Sequence, residues 1–481
     1  IYLGASVTAT SPNTIYGNTI QNITVTSTTT SFRTFVFVET YASSVTIGSS
    51  GNGNTFGSSS GTGSITITDN SSGNTNFPLC GILFGCTNAN SESCSYNTFG
   101  SITIAGTNTG NGTNHVVLID NAKSNAAGAL SVSYNTIGNS SSNNINITMN
   151  DDVALVTNHN AGTGNTSVFT INNNVFQNIR HTSTSLRFQA IFSDNSNAFA
   201  GTNPSSITYN TFTNISTASS DLNKIIVHAK TGGSTMATTI SNNTISNLTL
   251  SSTGASDFTC IFVIDNISTT VCHSNTIGSS VTNNISYAGS SAFYGISYRG
   301  SSTLTANSNL IQNVNLTGTG NSVRFNGIHG LSGIVNLTGD TIQNITSATT
   351  SVTAWHFSGI LLSSATNGQS TTECAVKNLI STTTGASAIR LYGIYGDGNG
   401  SGSIKKCHIS GLKISSTSST AQEKGIYIIG GGGWNFHNNV VLLDNAADGH
   451  SPIISGIDVG TTGTNQVYHN SVKVYGTATS G

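Results

Sequence analysis

Side chains able to do chemistry are scarce in this chain of 481 residues, so each can be weighed singly. Asp397-Gly398-Asn399-Gly400-Ser401-Gly402 sets oxygen-bearing side chains at alternate positions and a glycine at the sixth, like the opening half of a calcium loop. The acid needed six residues further on is missing, because His408 stands there. Asp397, Asn399 and Ser401 are therefore expected to hold Ca²⁺ only loosely, with a Gly-rich turn as the competing reading. No other cofactor is expected. The one adjacent pair of acids is Asp151-Asp152, whereas glycoside hydrolysis needs two carboxylates flanking one sugar bond. Asp69-Asn70, Asp120-Asn121, Asp194-Asn195, Asp265-Asn266 and Asp444-Asn445 each follow an apolar run, which suits an Asp that caps its own turn. Gly430–Gly433 lacks the Lys and Ser/Thr of a phosphate-cradling loop. Trp355, Trp434 and Tyr298 are candidate sugar platforms, and His437 and His469 are expected to stack on one face. These features point away from an enzyme.

The cysteines carry more information. Cys374 and Cys407 hold equivalent places in consecutive repeats, within disulfide reach if the repeats stack. Cys260 and Cys272 could bridge two strands of one coil, and Cys80, Cys86 and Cys94 could staple a loop. No Cys-x-x-Cys occurs, so disulfides and an oxidising compartment are expected rather than a metal site.

These residues hang on a repeat. Asn-Thr-Ile/Phe-x-Asn-Ile stands nearly intact at 18–23, 174–179, 210–215, 243–248, 309–314 and 340–345. Degraded copies start at Asn54, Asn97, Asn135, Asn275, Cys374, Cys407, Asn438 and Asn470, giving fourteen anchors spaced 31 to 43 residues apart. A fixed period in this range marks stacked repeats. Two residues after each anchor comes a β-branched or aromatic side chain, such as Ile20, Phe56, Phe212 and Val440, the types that fit a pleated surface. Two further apolar runs per repeat supply two more short strands. Crossovers between parallel strands are right-handed in nearly every case. The expected fold is all-β, a single right-handed parallel β-helix solenoid of about fourteen coils with three strands per coil. It is expected to span 1–481 as one continuous domain, loop-rich over 1–210 and more regular over 211–481. Asn22, Asn178, Asn214, Asn247, Asn313 and Asn344, four residues past their anchors, are expected to form a structural ladder at one corner. Several Asn-x-Ser/Thr sequons coincide with that ladder.

Composition narrows the function classes. Lys plus Arg is 15 and Asp plus Glu 17, a net charge of −2, and no basic stripe is visible to neutralise phosphates. Nucleic acid is excluded on that ground. Apolar runs are too short to span a membrane. Only 36% of residues are hydrophobic, which a thin solenoid core tolerates better than a globular one.

The phrases Gly17–Ile23 and Val467–Gly476 resemble parallel β-helix repeats of large bacterial surface proteins, in particular those exported by the type IX pathway in Bacteroidota. The pectate-lyase-like solenoid is the fold that this resemblance implies. Gly327-Ile328-His329-Gly330 faintly resembles the Gly-His-Gly element of polygalacturonases, but lies about five coils from Asp152. Resemblance and composition together imply an extracellular, cell-surface structural protein, a rod subunit that stacks end to end with copies of itself. The alternative is an adhesin or glycan-binding stalk, with surface glycans as partners, and a polysaccharide lyase or hydrolase comes third.

Overall fold

Residues two places after the anchors lie directly above one another in the computed structural model: Ile20 pairs with Phe56, and Phe56 with Phe99. The two phenyl rings stack with centroids 4.8 Å apart. The period seen in the sequence is thus the length of one solenoid coil, and the β-branched or aromatic type at this place is the type that fills the core. The structure describes all residues except 4–12, 29–34, 42–43, 72–78, 86–90, 108–115, 123–128, 160–167, 184–185, 195–204, 222, 232–236, 252–255, 319–321, 349–355, 383–387, 417, 419, 445–452, 462 and 476–481. Cys86, Trp355, Asn195 and Asn445 lie outside the described residues.

Two compact units are present, one of Ile1–Ile245 with Asn266–Ser268, the other of Ser246–Asp265 with Thr269–Gly481. Each is an all-β parallel solenoid of the right-handed type with three sheets. In the first unit the first sheet runs from Tyr2–Leu3 to Asn223–Lys230, and in the second from Phe258–Asp265 to Ile453–Val459. The second sheet uses short strands such as Thr238–Ser241 and Thr303–Asn307, and the third uses bent ones such as Thr211–Thr217 and Thr341–Ser347. About 11 turns are formed, slightly fewer than fourteen anchors suggest. The strands nearest the ends enclose little core: Tyr2–Leu3 is two residues long, and every residue of Gln466–Tyr468 and Ser471–Tyr475 is exposed.

The anchor asparagines explain the sequence rule at their position. In the first unit Nδ2 of Asn97 donates to Oδ1 of Asn135 at 3.0 Å, Asn135 to Asn174 at 3.0 Å and Asn174 to Asn210 at 3.0 Å. The same Oδ1 also accepts the backbone N–H of the preceding coil's asparagine, and the second Nδ2 proton goes to a main-chain carbonyl such as Val132 O. An amide suits this place, because it offers an acceptor and two donors at once. The residues expected to form the ladder do something different. Asn22, Asn178, Asn214, Asn247, Asn313 and Asn344 all have positive φ, from 52° to 58°, at the bend of the third sheet. Asn214 and Asn178 are hydrogen-bonded, as are Asn378 and Asn344, so stacking there is partial. Four of the six, Asn22, Asn214, Asn247 and Asn344, are exposed, so their sequons do not coincide with the buried ladder.

Register corrects one anchor. Asn439, not Asn438, donates to Asn470 at 2.9 Å, and Val441, not Val440, pairs with Val472. Two adjacent asparagines made the copy ambiguous. The slip also moves His437, which pairs with Tyr468 and stacks on it at 5.2 Å instead of meeting His469.

Glycines of the first sheet in the second unit mark close approach to the third. A Cβ on Gly327 would lie 2.7 Å from Cγ1 of Ile342, and one on Gly393 would lie 2.6 Å from Cγ2 of Ile409. The branched side chain two places past each anchor therefore fills the space that the glycine leaves.

Two of the expected disulfides are not formed, Cys374 with Cys407 and Cys260 with Cys272, while the staple of Cys80, Cys86 and Cys94 involves Cys86, outside the described residues. Cys94, Cys260, Cys272, Cys374 and Cys407 are buried free thiols. Cys374 and Cys407 do stack in adjacent coils, as their spacing implies, yet they sit in the ladder, where Cys407 N–H donates to Asn439 Oδ1 at 2.9 Å. The Sγ of Cys374 also contacts Thr372 O at 3.4 Å, and that of Cys407 contacts Thr371 O at 3.6 Å.

Candidate ligand-binding cleft

The second unit's first sheet has a core side and an outer side. Phe293 and Phe325 stack ring on ring at 5.8 Å in the core, and by strand alternation Tyr294 and Asn326 face the other way. Outward positions align from coil to coil: Tyr294 with Asn326, Ser297 with His329, and His356 with Arg390. A cavity of about 300 Å³ opens on this face. Tyr294, Asn326, His329 and His356 form its inner wall, while Arg299, Arg324 and Asp397 are exposed at its rim.

The wall is buried and partly unsatisfied. The rings of Tyr294 and His329 stack at 5.1 Å, 15° from parallel. His329 is 5% exposed and Asn326 2%, and neither His329 Nδ1 nor Asn326 Oδ1 has a hydrogen-bond partner. A buried polar atom without a partner costs about 1–3 kcal/mol, which a polar ligand bonded there removes. Beside the cavity His356 meets the rings of Tyr392 at 5.6 Å and Tyr395 at 5.2 Å. Next along the sheet, Lys424 Nζ lies 3.4 Å from the centre of the Tyr427 ring and 2.7 Å from Asp458 Oδ2.

The electrostatics are positive. Burial first, then Arg299, hold His329 well below the usual range, near 3. Burial, then Arg390 and Arg324, lower His356 to about 4. Both imidazoles are neutral at pH 7 and can give or accept one hydrogen bond at each nitrogen. Burial raises the Tyr294 hydroxyl to about 12, keeping it a neutral donor. Arg299 is ion-paired with Asp257, 3.8 Å away.

Sequence reasoning found His329 and Asp397 but not their setting. His329 was weighed only against Asp152, and Asp397 only as a calcium ligand; the two line one cavity. Asn399 and Ser401 belong to the turn beyond, where Ser401 N bonds to Asn367 Oδ1 at 3.0 Å. Among the described residues no group of three His, Cys, Asp or Glu side chains could hold a metal ion. Arg299, Arg324, Asn326 and His356 were missed. Their signal was present, since Arg324, His356 and Arg390 follow one another at 32 and 34 residues, the repeat interval. Three of the six arginines of the chain stand on this face, which the overall charge count hides.

Other candidates resolve as structure. Tyr298 points its hydroxyl at Asp265 O, 3.0 Å away in the interior, and Trp434, 2% exposed, donates from Nε1 to Gly400 O at 3.0 Å, so neither is a sugar platform. Asp69 Oδ1 accepts Ser71 N–H at 2.9 Å, the expected self-capped turn. Asp152 is tied to Arg187 at 2.5 Å in the other unit. Among the described residues no helix is long and apolar enough to cross a membrane. No protein-family model matches the chain, and neither does any curated protein or any solved structure.

Proposed function

We propose that this is an extracellular, cell-surface β-helix protein whose second unit binds glycans in the cleft around His329. The observation that carries this reading is the gathering of Arg299, Arg324, Asn326, His329 and His356 about one cavity, in a chain where only 7% of residues are charged. A concave site with a few convergent polar groups suits a ligand rich in hydroxyls. Binding is preferred to catalysis because Asp397 is the one carboxylate among the described lining residues, and glycoside hydrolysis calls for two. The extracellular setting rests on the resemblance of Gly17–Ile23 and Val467–Gly476 to exported surface repeats. A glycan array probed with the whole chain tests the proposal. Leu331 is 41% exposed at the cavity, so Leu331→Trp fills the cleft without touching the core. Retention of a glycan by the parent chain and its loss on Leu331→Trp is the expected result. An array with no retained glycan, or one that ignores the blocking side chain, overturns it.

The structural-rod reading stands second, supported by the hydrogen-bonded ladders that run from coil to coil within each unit. Long fibres of native material in electron micrographs would favour it; dispersed particles would count against it.

A further inference from the structure

The positive charges around the cleft are already answered within the protein. Arg299 is ion-paired with Asp257, whose other oxygen accepts from Ser291 Oγ at 2.7 Å. Arg324 is engaged as well, and Arg390 donates to His356 Nε2. Further along the face Lys424 is held by Asp458 and Tyr427. What remains open is different in kind. Asn326 Oδ1 and His329 Nδ1 are buried, lack a hydrogen-bond partner and belong to side chains that line the cavity. Asp397 lines it too, exposed at the rim. An amide oxygen and a carboxylate only accept, and the nitrogen of a neutral imidazole takes either role. The cleft therefore asks its ligand for hydrogen-bond donors and not for a counter-charge.

Charge disfavours both ionic classes of ligand. An ammonium group would meet Arg299, whose field lowers His329, and Arg390 and Arg324, whose fields lower His356. An anion would face Asp397 and would have to compete with Asp257 for Arg299. The apolar part of the lining is Leu331, which is exposed, and Leu361, which pairs with His329 from the next coil. A sugar ring matches this mixture, with hydroxyls around its edge and C–H groups on its faces. A volume of about 300 Å³ stands at the small end for ligand sites, with room for about one or two rings. Building on the glycan reading, we infer that the ligand is an uncharged sugar, a short unit of a glycan, whose hydroxyls donate to Asn326 Oδ1 and Asp397 while its C–H face lies on Leu331 and Leu361. Asn326 and Asp397 are the specificity residues, because they reward a donor and offer nothing to an anion.

The test uses the full chain, with dextran, mannan and galactan as neutral immobilised probes, a polyuronate as the anionic one and chitosan as the cationic one. At least one neutral polymer or neutral array glycan is expected to bind, with affinity unchanged as salt rises, and the charged polymers are not. Asp397→Ala should weaken binding on the order of tenfold, and Asp397→Asn less, since the amide keeps an acceptor. Asn326→Ala should also weaken it on the order of tenfold. Asp397 is exposed, so its variants should keep the parent's circular dichroism spectrum. Lys406→Ala, which removes a surface charge paired with Glu373 at 3.0 Å, is the control and should change nothing. Retention of acidic or amino glycans alone, or undiminished binding by folded Asp397→Ala, overturns the uncharged-ligand inference. The glycan reading then stands if Leu331→Trp still abolishes binding. Failure of every polymer and of the glycan array removes both.

Discussion

Nη1 of Arg390 lies 2.9 Å from Nε2 of His356, one coil away on the same face. A guanidinium only donates, so Nε2 is the acceptor and the ring is neutral, with its proton on Nδ1. Arg390→Ala should raise the His356 pKa from about 4 toward 6.5, followed by NMR of the ring. It should stop short of 6.5, because burial is the larger cause of the depression. A value that does not move would show that the contact carries no charge coupling.

Stability should depend on pH through groups of opposite sign. His181, His329 and His356 have folded values near 4, 3 and 4, below the 6.5 of the unfolded chain. Their contribution is complete above 6.5 and is lost as pH falls through 4. Asp340 runs the other way, raised by burial from 3.8 to about 6, so its contribution is present below 4 and is lost as pH rises through 6. Asp340→Asn should therefore stabilise the fold at pH 8 by about 1–2 kcal/mol and have little effect at pH 4. Urea titrations at the two pH values measure the difference, and equal effects would remove the carboxylate's role.

The two kinds of asparagine should respond differently. Asn174→Ala deletes a fully bonded ladder amide and strands Asn135 Nδ2 and Val132 O, costing about 1–3 kcal/mol. Asn178→Gly, at φ 55°, relieves a left-handed backbone and should be close to neutral. Chemical denaturation that ranks the two the other way would reject the assignment of ladder and corner.

Gly393→Ala should destabilise by about 1–3 kcal/mol, since its Cβ would meet Ile409 Cγ2 at 2.6 Å and Gly425 O at 2.5 Å. Ile409→Ala in the same chain should restore part of the loss, the main-chain clash remaining. A double-mutant cycle reads the coupling, and strict additivity would mean that the two residues do not share space.

Thiol reagents offer a direct check on the cysteines. The native chain should react slowly at Cys80, Cys94, Cys260, Cys272, Cys374 and Cys407, all of them buried. Unfolding without reductant should release the thiols of Cys94, Cys260, Cys272, Cys374 and Cys407. Peptide mapping that finds Cys374 joined to Cys407 would show that the two thiols are oxidised in the folded chain.

The coil was legible because one side chain per repeat has no choice: Ile20, Phe56 and Phe99 fill the same column, and the anchor amide must bond both up and down. The cleft was not, because its residues share no motif. Arg324 and His356 are neighbours only once the register is known, and outward positions carry no hydrophobic rhythm to reveal it. Asn438 misled because Asn439 follows it with the same amide. Cys374 and Cys407 misled because equivalent repeat positions guarantee proximity, while bond formation requires more than proximity.

Core and face are also written in separate alphabets. Gly327 and Ile328 keep the coil closed while their neighbours Asn326 and His329 look into the cleft, and the next rung repeats the grammar with Gly359, Ile360, Ser358 and Leu361. Mutation can therefore revise what one coil presents without editing what holds it, so that binding preference can drift rung by rung along a frame that stays in place.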